Sequence, residues 1–209
     1  VLLTEKRQVF GQFSISPSGE KVAVEIVDNQ LYSINIFDIK RGRFSSFSNS
    51  KHNYAPFWGA DGGNIYYTSN RKDPTEFGLF IYDFDQQKEK EIVLDGETMG
   101  EISVSDVSMD GKKLLCFGQQ KGTGLGELYF VDISERRLHP LTKNRFLEWG
   151  GVFSPDEKWL AYTSEKDMEG SFAIYLNRFP EMNREIRISA GGGEEPKWLP
   201  DGSAVYYRN

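Results

Sequence analysis

The sequence repeats one pattern of apolar and polar positions five times. In its clearest copy, residues 150–163, a short apolar run meets a Pro-Asp turn and a second apolar run follows at once. Turn-forming residues between two runs that favour strands predict a β-hairpin. One position in each turn serves as a marker of the repeat, and the five markers are Gly19, Gly62, Gly111, Glu157 and Gly202. A bulky apolar residue stands four positions before every marker: Ile15, Trp58, Val107, Phe153 and Trp198.

The spacing of the copies predicts the fold class. Successive markers are 43, 49, 46 and 45 residues apart, and repeats of about 40–50 residues built from short strands are typical of propeller blades. We therefore predict an all-β fold: a β-propeller of four-stranded antiparallel blades, with four complete blades and partial strands at both ends. The predicted blades cover approximately residues 11–49, 54–97, 102–143 and 149–190, with a partial blade at 194–209.

The second strand of each predicted blade is apolar at consecutive positions rather than at alternate ones. Such a strand is expected to be buried on both faces, as a strand between two neighbouring blades would be. The marker turns favour glycine because glycine tolerates a positive φ. Glu157 is the exception, and since a positive φ would strain a glutamate, we expect a different turn type there.

Composition narrows the range of partners. The formal net charge is −6 and the pI is about 5.1, which disfavours nucleic acid as a partner. No apolar run approaches the ~20 residues that cross a bilayer, so we expect no membrane insertion by this segment. A single cysteine cannot form an internal disulfide and leaves the redox compartment open. No signal peptide is recognisable, which carries little weight because the chain opens within a predicted strand.

Few residues suggest catalysis. Cys116 occupies a repeat position held elsewhere by valine or tyrosine, so a core role is favoured over that of a nucleophile. His52 and His139 fall at dissimilar blade positions and are interpreted as surface residues rather than metal ligands. Asp83 and Asp132 follow third strands, as turn residues do in the other blades. We predict no catalytic residue, no metal site and no cofactor.

Two segments resemble a known repeat. Residues 195–202, Glu-Pro-Lys-Trp-Leu-Pro-Asp-Gly, and residues 56–62, Pro-Phe-Trp-Gly-Ala-Asp-Gly, are similar to the Pro-x-Trp-Ser-Pro-Asp-Gly repeat of TolB-like (WD40-like) β-propellers. The last forty residues look most like propellers appended to bacterial receptor-type Ser/Thr kinases, and related repeats build the gating propellers of prolyl-oligopeptidase-type peptidases. The resemblance carries over no catalytic residue. It implies a binding or scaffold role and favours a periplasmic or other extracytoplasmic location.

Candidate contact residues lie just before the first strands. The positions nine and eight before the markers include Asn53, Tyr54, Glu148, Trp149 and Glu194. Because equivalent loops of a propeller gather on one face, we predict a binding surface there for a protein or peptide, with a basic or amide-rich segment favoured. The competing interpretation is that Tyr54 and Trp149 only wedge between blades.

The function predicted from the sequence is therefore a non-catalytic binding or scaffold propeller, such as the sensor region of a larger protein. The alternative is the substrate-gating propeller of a serine peptidase whose catalytic domain lies outside this chain. Residues 1–4 are predicted to be the outer strand of a preceding or composite blade, and we favour an excised arc over a closed ring. Open blade edges would then allow self-association.

Overall fold

The structure is a computed structural model that describes residues 9–46, 52–94, 99–122, 126–143, 145–167 and 171–209. All regular secondary structure among these residues is β-strand. The chain divides into two compact units, Val1–Val93 and Leu94–Asn209, called here the N-terminal and the C-terminal unit.

The N-terminal unit contains two four-stranded antiparallel sheets in which the strands pair in sequence order. Blade 1 consists of β1 (Val9–Ile15), β2 (Lys21–Asp28), β3 (Leu31–Asp38) and β4 (Arg43–Ser46). Blade 2 consists of β5 (Asn53–Trp58), β6 (Asn64–Asp73), β7 (Glu76–Asp83) and β8 (Lys88–Ile92).

The C-terminal unit contains two further four-stranded antiparallel sheets and one two-stranded sheet. Blade 3 consists of β9 (Met99–Val107), β10 (Lys113–Gln120), β11 (Gly126–Asp132) and β12 (Arg137–Pro140). Blade 4 consists of β13 (Glu148–Phe153), β14 (Trp159–Ser164), β15 (Ala173–Arg178) and β16 (Ile186–Arg187). Blade 5 consists of β17 (Glu194–Trp198) and β18 (Val205–Arg208). The prediction of four-stranded antiparallel blades is confirmed, and residues 1–4 lie outside the described residues.

Burial of the second strands follows the sequence pattern. Residues 23–26 of β2 and 160–164 of β14 are buried without a break. In the N-terminal unit, Ala23 of blade 1 belongs to one core cluster with Trp58 and Tyr67 of blade 2. The second strands are thus covered on both faces, and Cys116 in β10 is fully buried, as its repeat position predicted.

The expectation of a different turn at Glu157 was wrong. Glu157 has a φ of 54° and donates its backbone N–H to Ser154 O at 2.8 Å, as Gly111 donates to Ser108 O at 2.9 Å in blade 3. A left-handed glutamate costs on the order of 1 kcal/mol. The Glu157 side chain offsets this, because its carboxylate accepts the Met109 backbone N–H of the preceding blade at 2.7 Å.

Hydrogen bonds at one repeat position join neighbouring first strands. Five residues before the marker, Ser14 accepts the Trp58 N–H at 3.2 Å and Asp106 accepts the Phe153 N–H at 2.7 Å. Burial raises the pKa of Asp106 to about 6, against the opposing effect of its backbone hydrogen bonds. A side-chain acceptor at this position therefore ties blade 1 to blade 2, and blade 3 to blade 4.

Candidate functional site

The structure places the five predicted contact residues at the starts of three first strands. Asn53 and Tyr54 begin β5, Glu148 and Trp149 begin β13, and Glu194 begins β17. Asn53 and Glu148 are 0% exposed, whereas Tyr54, Trp149 and Glu194 are half-buried. The five predicted contact residues therefore fall into two groups: those whose side chains are enclosed by their own blade and those whose side chains are partly open to solvent.

Asn53 belongs to a polar network inside blade 2. Its Oδ1 accepts a hydrogen bond from Arg71 Nη2 at 2.9 Å. Arg71 also donates to Glu89 at 2.6 Å and to Ser69 Oγ at 3.0 Å. The hydroxyl of the fully buried Tyr67 donates to the same Glu89 carboxylate at 2.6 Å. This network links the first, second and fourth strands of the blade.

Glu148 belongs to the equivalent network of blade 4. Ser164 Oγ donates to Glu148 Oε1 at 3.4 Å, and the hydroxyl of Tyr162 donates to Glu185 at 2.8 Å. Lys166 forms an ion pair with Glu185, and the hydrogen bond to Glu185 is the main cause that raises the pKa of Lys166. Burial, followed by the hydrogen bond to Glu185, raises the pKa of Tyr162 well above its ordinary value.

The half-buried members of the predicted site form aromatic pairs at one repeat position. Tyr54 lies in edge contact with Phe77 at a centroid distance of 5.5 Å, and Trp149 lies in edge contact with Phe172 at 5.9 Å. In both pairs, the residue eight before the marker meets the residue fifteen after it. Tyr54 also contacts Tyr32 of blade 1 at 4.7 Å, the contact expected of a side chain wedged between blades.

A β-bulge follows each of these positions. The residue seven before the marker is Ala55, Gly150 or Glu195, with φ of 50°, 62° and 56°, respectively. The pairing register shifts at the same point in all three first strands. A bulge twists the strand locally and redirects the side chains that flank it. The two residues at the start of β5 and of β13 precede the bulge and pair in register, so their side chains point to opposite faces of the sheet and differ in burial.

Charged side chains surround Glu194 in blade 5. Arg208 of β18 forms ion pairs with Glu194 and Glu195, the second at 3.1 Å. Just before them, the Gly193 N–H donates to Phe172 O of blade 4 at 2.9 Å. A Cβ at Gly193 would lie 2.6 Å from the Tyr207 ring, so this close approach requires glycine. The Trp149–Phe172 pair and the two glutamates thus belong to neighbouring strand starts of the C-terminal unit.

Glu25 is a buried carboxylate that the sequence interpretation missed. It lies in β2 and accepts the Ala55 backbone N–H of blade 2 at 3.0 Å. Burial raises the pKa of Glu25, and the hydrogen bond from Ala55 opposes the rise. A signal existed in the sequence, since Glu25 is a charged residue inside an otherwise apolar second strand.

The remaining candidates have structural surroundings. Burial raises the pKa of the Cys116 thiol far above its ordinary value, which leaves it unreactive. His139 stacks on Phe130 at 4.4 Å with its Nε2 3.3 Å from Glu135. Asp132 accepts the Ser134 N–H at 2.9 Å, as a turn aspartate does. Within the described ranges, no group of three or more metal-ligating side chains occurs.

No helix in the described part of the chain is long and apolar enough to cross a membrane.

The sequence matches no protein-family profile and no curated protein. Similarity appears in solved structures. The chain superposes on TolB from Acinetobacter baumannii with a TM-score of 0.73 and 17% identity, covering 97% of this chain and 49% of that one. An oligogalacturonate lyase from Vibrio parahaemolyticus matches with a TM-score of 0.74 and 16% identity, over 98% of this chain and 61% of that one. A prolyl endopeptidase matches with a TM-score of 0.64 and 16% identity, over 96% of this chain and 32% of that one.

These likenesses concern the fold. The chain spans about half the length of the TolB structure and about a third of the prolyl endopeptidase. At this level of identity the likeness shows the architecture alone, since one fold supports many activities. Together with the antiparallel four-stranded sheets, they establish that this chain has a TolB-like β-propeller fold.

Proposed function

We propose that this chain is a non-catalytic binding module that recognises a peptide or protein through the starts of its first strands. The observation that carries the proposal is the recurrence of a half-buried aromatic pair, Tyr54–Phe77 in blade 2 and Trp149–Phe172 in blade 4. Aromatic side chains held in a fixed orientation and partly open to solvent are frequent anchors of protein interfaces.

Within this proposal the five predicted residues have two roles. Tyr54, Trp149 and Glu194 are the contact residues, because their side chains are half-buried. Asn53 and Glu148 are positioning residues, because each is enclosed and hydrogen-bonded within its own blade. The rigid networks around them hold the neighbouring aromatic residues in place, which lowers the entropic cost of binding.

The partner favoured by the charges is a basic peptide. Glu194 and Glu195 directly follow Gly193, whose N–H donates to Phe172 O. Their two carboxylates share the single guanidinium of Arg208, so negative charge is in excess at this place, as it is in the whole chain, whose net charge is −6. A surface of this sign attracts cationic partners and repels phosphate backbones. The chain would act as the sensor or scaffold region of a larger protein, such as a receptor-type Ser/Thr kinase.

A second candidate function is the gating propeller of a prolyl-oligopeptidase-type peptidase. The similarity to a prolyl endopeptidase over 96% of this chain favours it. The two candidates differ in what adjoins the propeller: a kinase domain and a membrane span, or a Gly-x-Ser-x-Gly hydrolase domain. Reading the complete gene distinguishes them.

The experiment is a comparison of two tryptophans in one blade. Peptides are selected from a displayed library on the immobilised chain, and their affinities are measured by calorimetry. Trp149→Ala should weaken binding at least tenfold. Trp159→Ala is the matched control, since Trp159 is also half-buried but lies at the far end of blade 4, where it stacks on Arg178 at 4.4 Å. Equal affinity in both variants, with both folded, would contradict the proposal.

A further inference from the structure

Glu25 is an unusual residue for its position. It is 7% exposed, and glutamate is rarely buried to this extent unless its charge is paired. Among the described residues, the carboxylate receives one hydrogen bond, from the Ala55 N–H to Oε2 at 3.0 Å. A single neutral donor satisfies only part of a carboxylate that can accept about four hydrogen bonds.

The other oxygen of Glu25 lies over a residue without a side chain. A Cβ at Gly11 would be only 2.2 Å from Glu25 Oε1, so glycine is required for the carboxylate to occupy this place. Gly11 lies in β1, beside the second strand that contains Glu25. The Oε1 atom consequently faces backbone rather than a side-chain partner on this side.

Two tyrosines lie near the Ala55 N–H that binds the Glu25 carboxylate. Tyr54 directly precedes Ala55, and its ring is 4.7 Å from that of Tyr32. Both rings are half-buried, and Tyr54 also touches Phe77. Burial is the main cause of the raised pKa of Tyr54, and the proximity of Tyr32 and Glu25 adds to it. Carboxylate and rings therefore occupy one small region of the N-terminal unit.

We propose that Glu25, Tyr32 and Tyr54 form a subsite for a protonated primary amine, the side chain of a lysine in a bound peptide. This inference rests on the proposed function and names the chemistry of its partner. A buried carboxylate supplies the opposite charge, and tyrosine faces attract cations. Lysine fits better than arginine because a guanidinium fork would need Oε2 as well as Oε1 and would compete with the Ala55 N–H, whereas a compact ammonium needs one acceptor oxygen.

The structural alternative is that Glu25 only ties blade 1 to blade 2. Under that alternative the carboxylate matters for stability and not for ligand choice. The two interpretations separate when ligand charge is varied on the unaltered protein, because a purely structural Glu25 would not distinguish a charged side chain from a neutral one.

The experiment uses two short probes, acetyl-Gly-Lys-Gly-amide and the same peptide with norleucine in place of lysine. Their dissociation constants are measured by chemical-shift titration of the isotopically labelled chain. The lysine peptide should bind at least tenfold more tightly. Glu25→Gln retains an acceptor for the Ala55 N–H and should abolish the preference for lysine. Glu20→Gln removes the same charge from the exposed turn of blade 1 and should leave the preference unchanged.

A second variant tests the subsite without changing the Glu25 side chain. Gly11→Ala keeps Glu25 but places a methyl group against Oε1, so it should also weaken lysine binding. Melting curves show which variants are folded. Equal binding of the two peptides to the unaltered chain, or a lysine preference that persists in folded Glu25→Gln, would overturn the subsite. If the subsite fails while Trp149-dependent peptides still bind, the proposed function stands.

Discussion

Blades 2 and 4 contain the same network with different charges. In both, a buried tyrosine five residues after the marker donates to a glutamate, and a cation nine residues after the marker contacts that glutamate. In blade 2 the cation is Arg71, and the residue at the strand start is the neutral Asn53. In blade 4 the cation is Lys166, and the residue at the strand start is Glu148.

The difference shows that the strand-start residue and the cation are matched. Arg71 distributes its fork over Glu89, Asn53 and Ser69, which suits a neutral amide at the strand start. Lys166 is a compact charge with Glu185 as its ion-pair partner and with Glu148 nearby. In these two blades the residue nine before the marker and the cation nine after it therefore differ together. A residue that varies between repeats need not be a surface residue.

The largest expected effect comes from removing the tyrosine of each network. Tyr67→Ala and Tyr162→Ala should each lower the free energy of unfolding by about 3–5 kcal/mol, because both rings are fully buried and stacked on another ring. Urea denaturation measures the loss. If one variant lost less than about 1 kcal/mol of unfolding free energy, the two networks would not contribute equally to stability.

A second test compares the pH dependence of stability at two hydrogen bonds that join neighbouring blades, Ser14 to Trp58 and Asp106 to Phe153. The folded carboxyl of Asp106 has a pKa of about 6, above its ordinary value of 3.8, so the folded state binds this proton more tightly than the unfolded chain. Stability should therefore rise as pH falls through 6 towards 4, by at most about 3 kcal/mol from this group.

Asp106→Asn should remove that part of the pH dependence, whereas Ser14→Ala at the equivalent junction should not change it. Urea midpoints measured from pH 4 to pH 7 provide the comparison. An unchanged slope in Asp106→Asn would mean that the junction of blades 3 and 4 does not titrate.

Exchanging the cations tests the matching directly. Arg71→Lys should lower stability by about 1–2 kcal/mol, because lysine cannot reach the three acceptors of the fork together. Lys166→Arg should stay within about 0.5 kcal/mol, since its main partner is the partly exposed Glu185. Equal effects of the two exchanges, measured by thermal unfolding, would argue against matched networks.

The smallest effect is expected at the exceptional turn. Glu157→Gly relieves a left-handed glutamate but removes the hydrogen bond to Met109, and each contribution is about 1 kcal/mol. The net change in unfolding free energy should therefore be under about 0.5 kcal/mol. A stabilisation above 1 kcal/mol would show that the bond to Met109 contributes little.

The repeated pattern of apolar and turn-forming residues was sufficient to predict the strands and turns. The burial of Cys116, the consecutive burial of second strands and the turn role of Asp132 all agree with positions that repeat in the sequence. These predictions succeeded because the same position has the same burial or the same turn role in the four complete blades. The exception was Glu157, where a contact with the preceding blade outweighed the local preference for glycine.

The candidate site was only partly accessible to sequence reasoning. The strand starts were located correctly, but the burial of Asn53 and Glu148 depends on partners 16 to 18 residues away in the second strand. The bulge at Ala55 and Gly150 also left no distinct signal, because its register shift arises from pairing between strands. Phe77 and Phe172 became recognisable as ring partners only when these strands were paired.

The repeated order of apolar runs and turn residues is enough to specify an antiparallel blade, because strand formation, turn formation and burial on both faces follow from short-range pattern. That order does not specify which polar side chains are enclosed. Glu25 ends beside Ala55, 30 residues later in the chain, because two blades pack together and Gly11 leaves room for the carboxylate. Charge placement of this kind depends on contacts between blades, and so it arises only in the packed molecule.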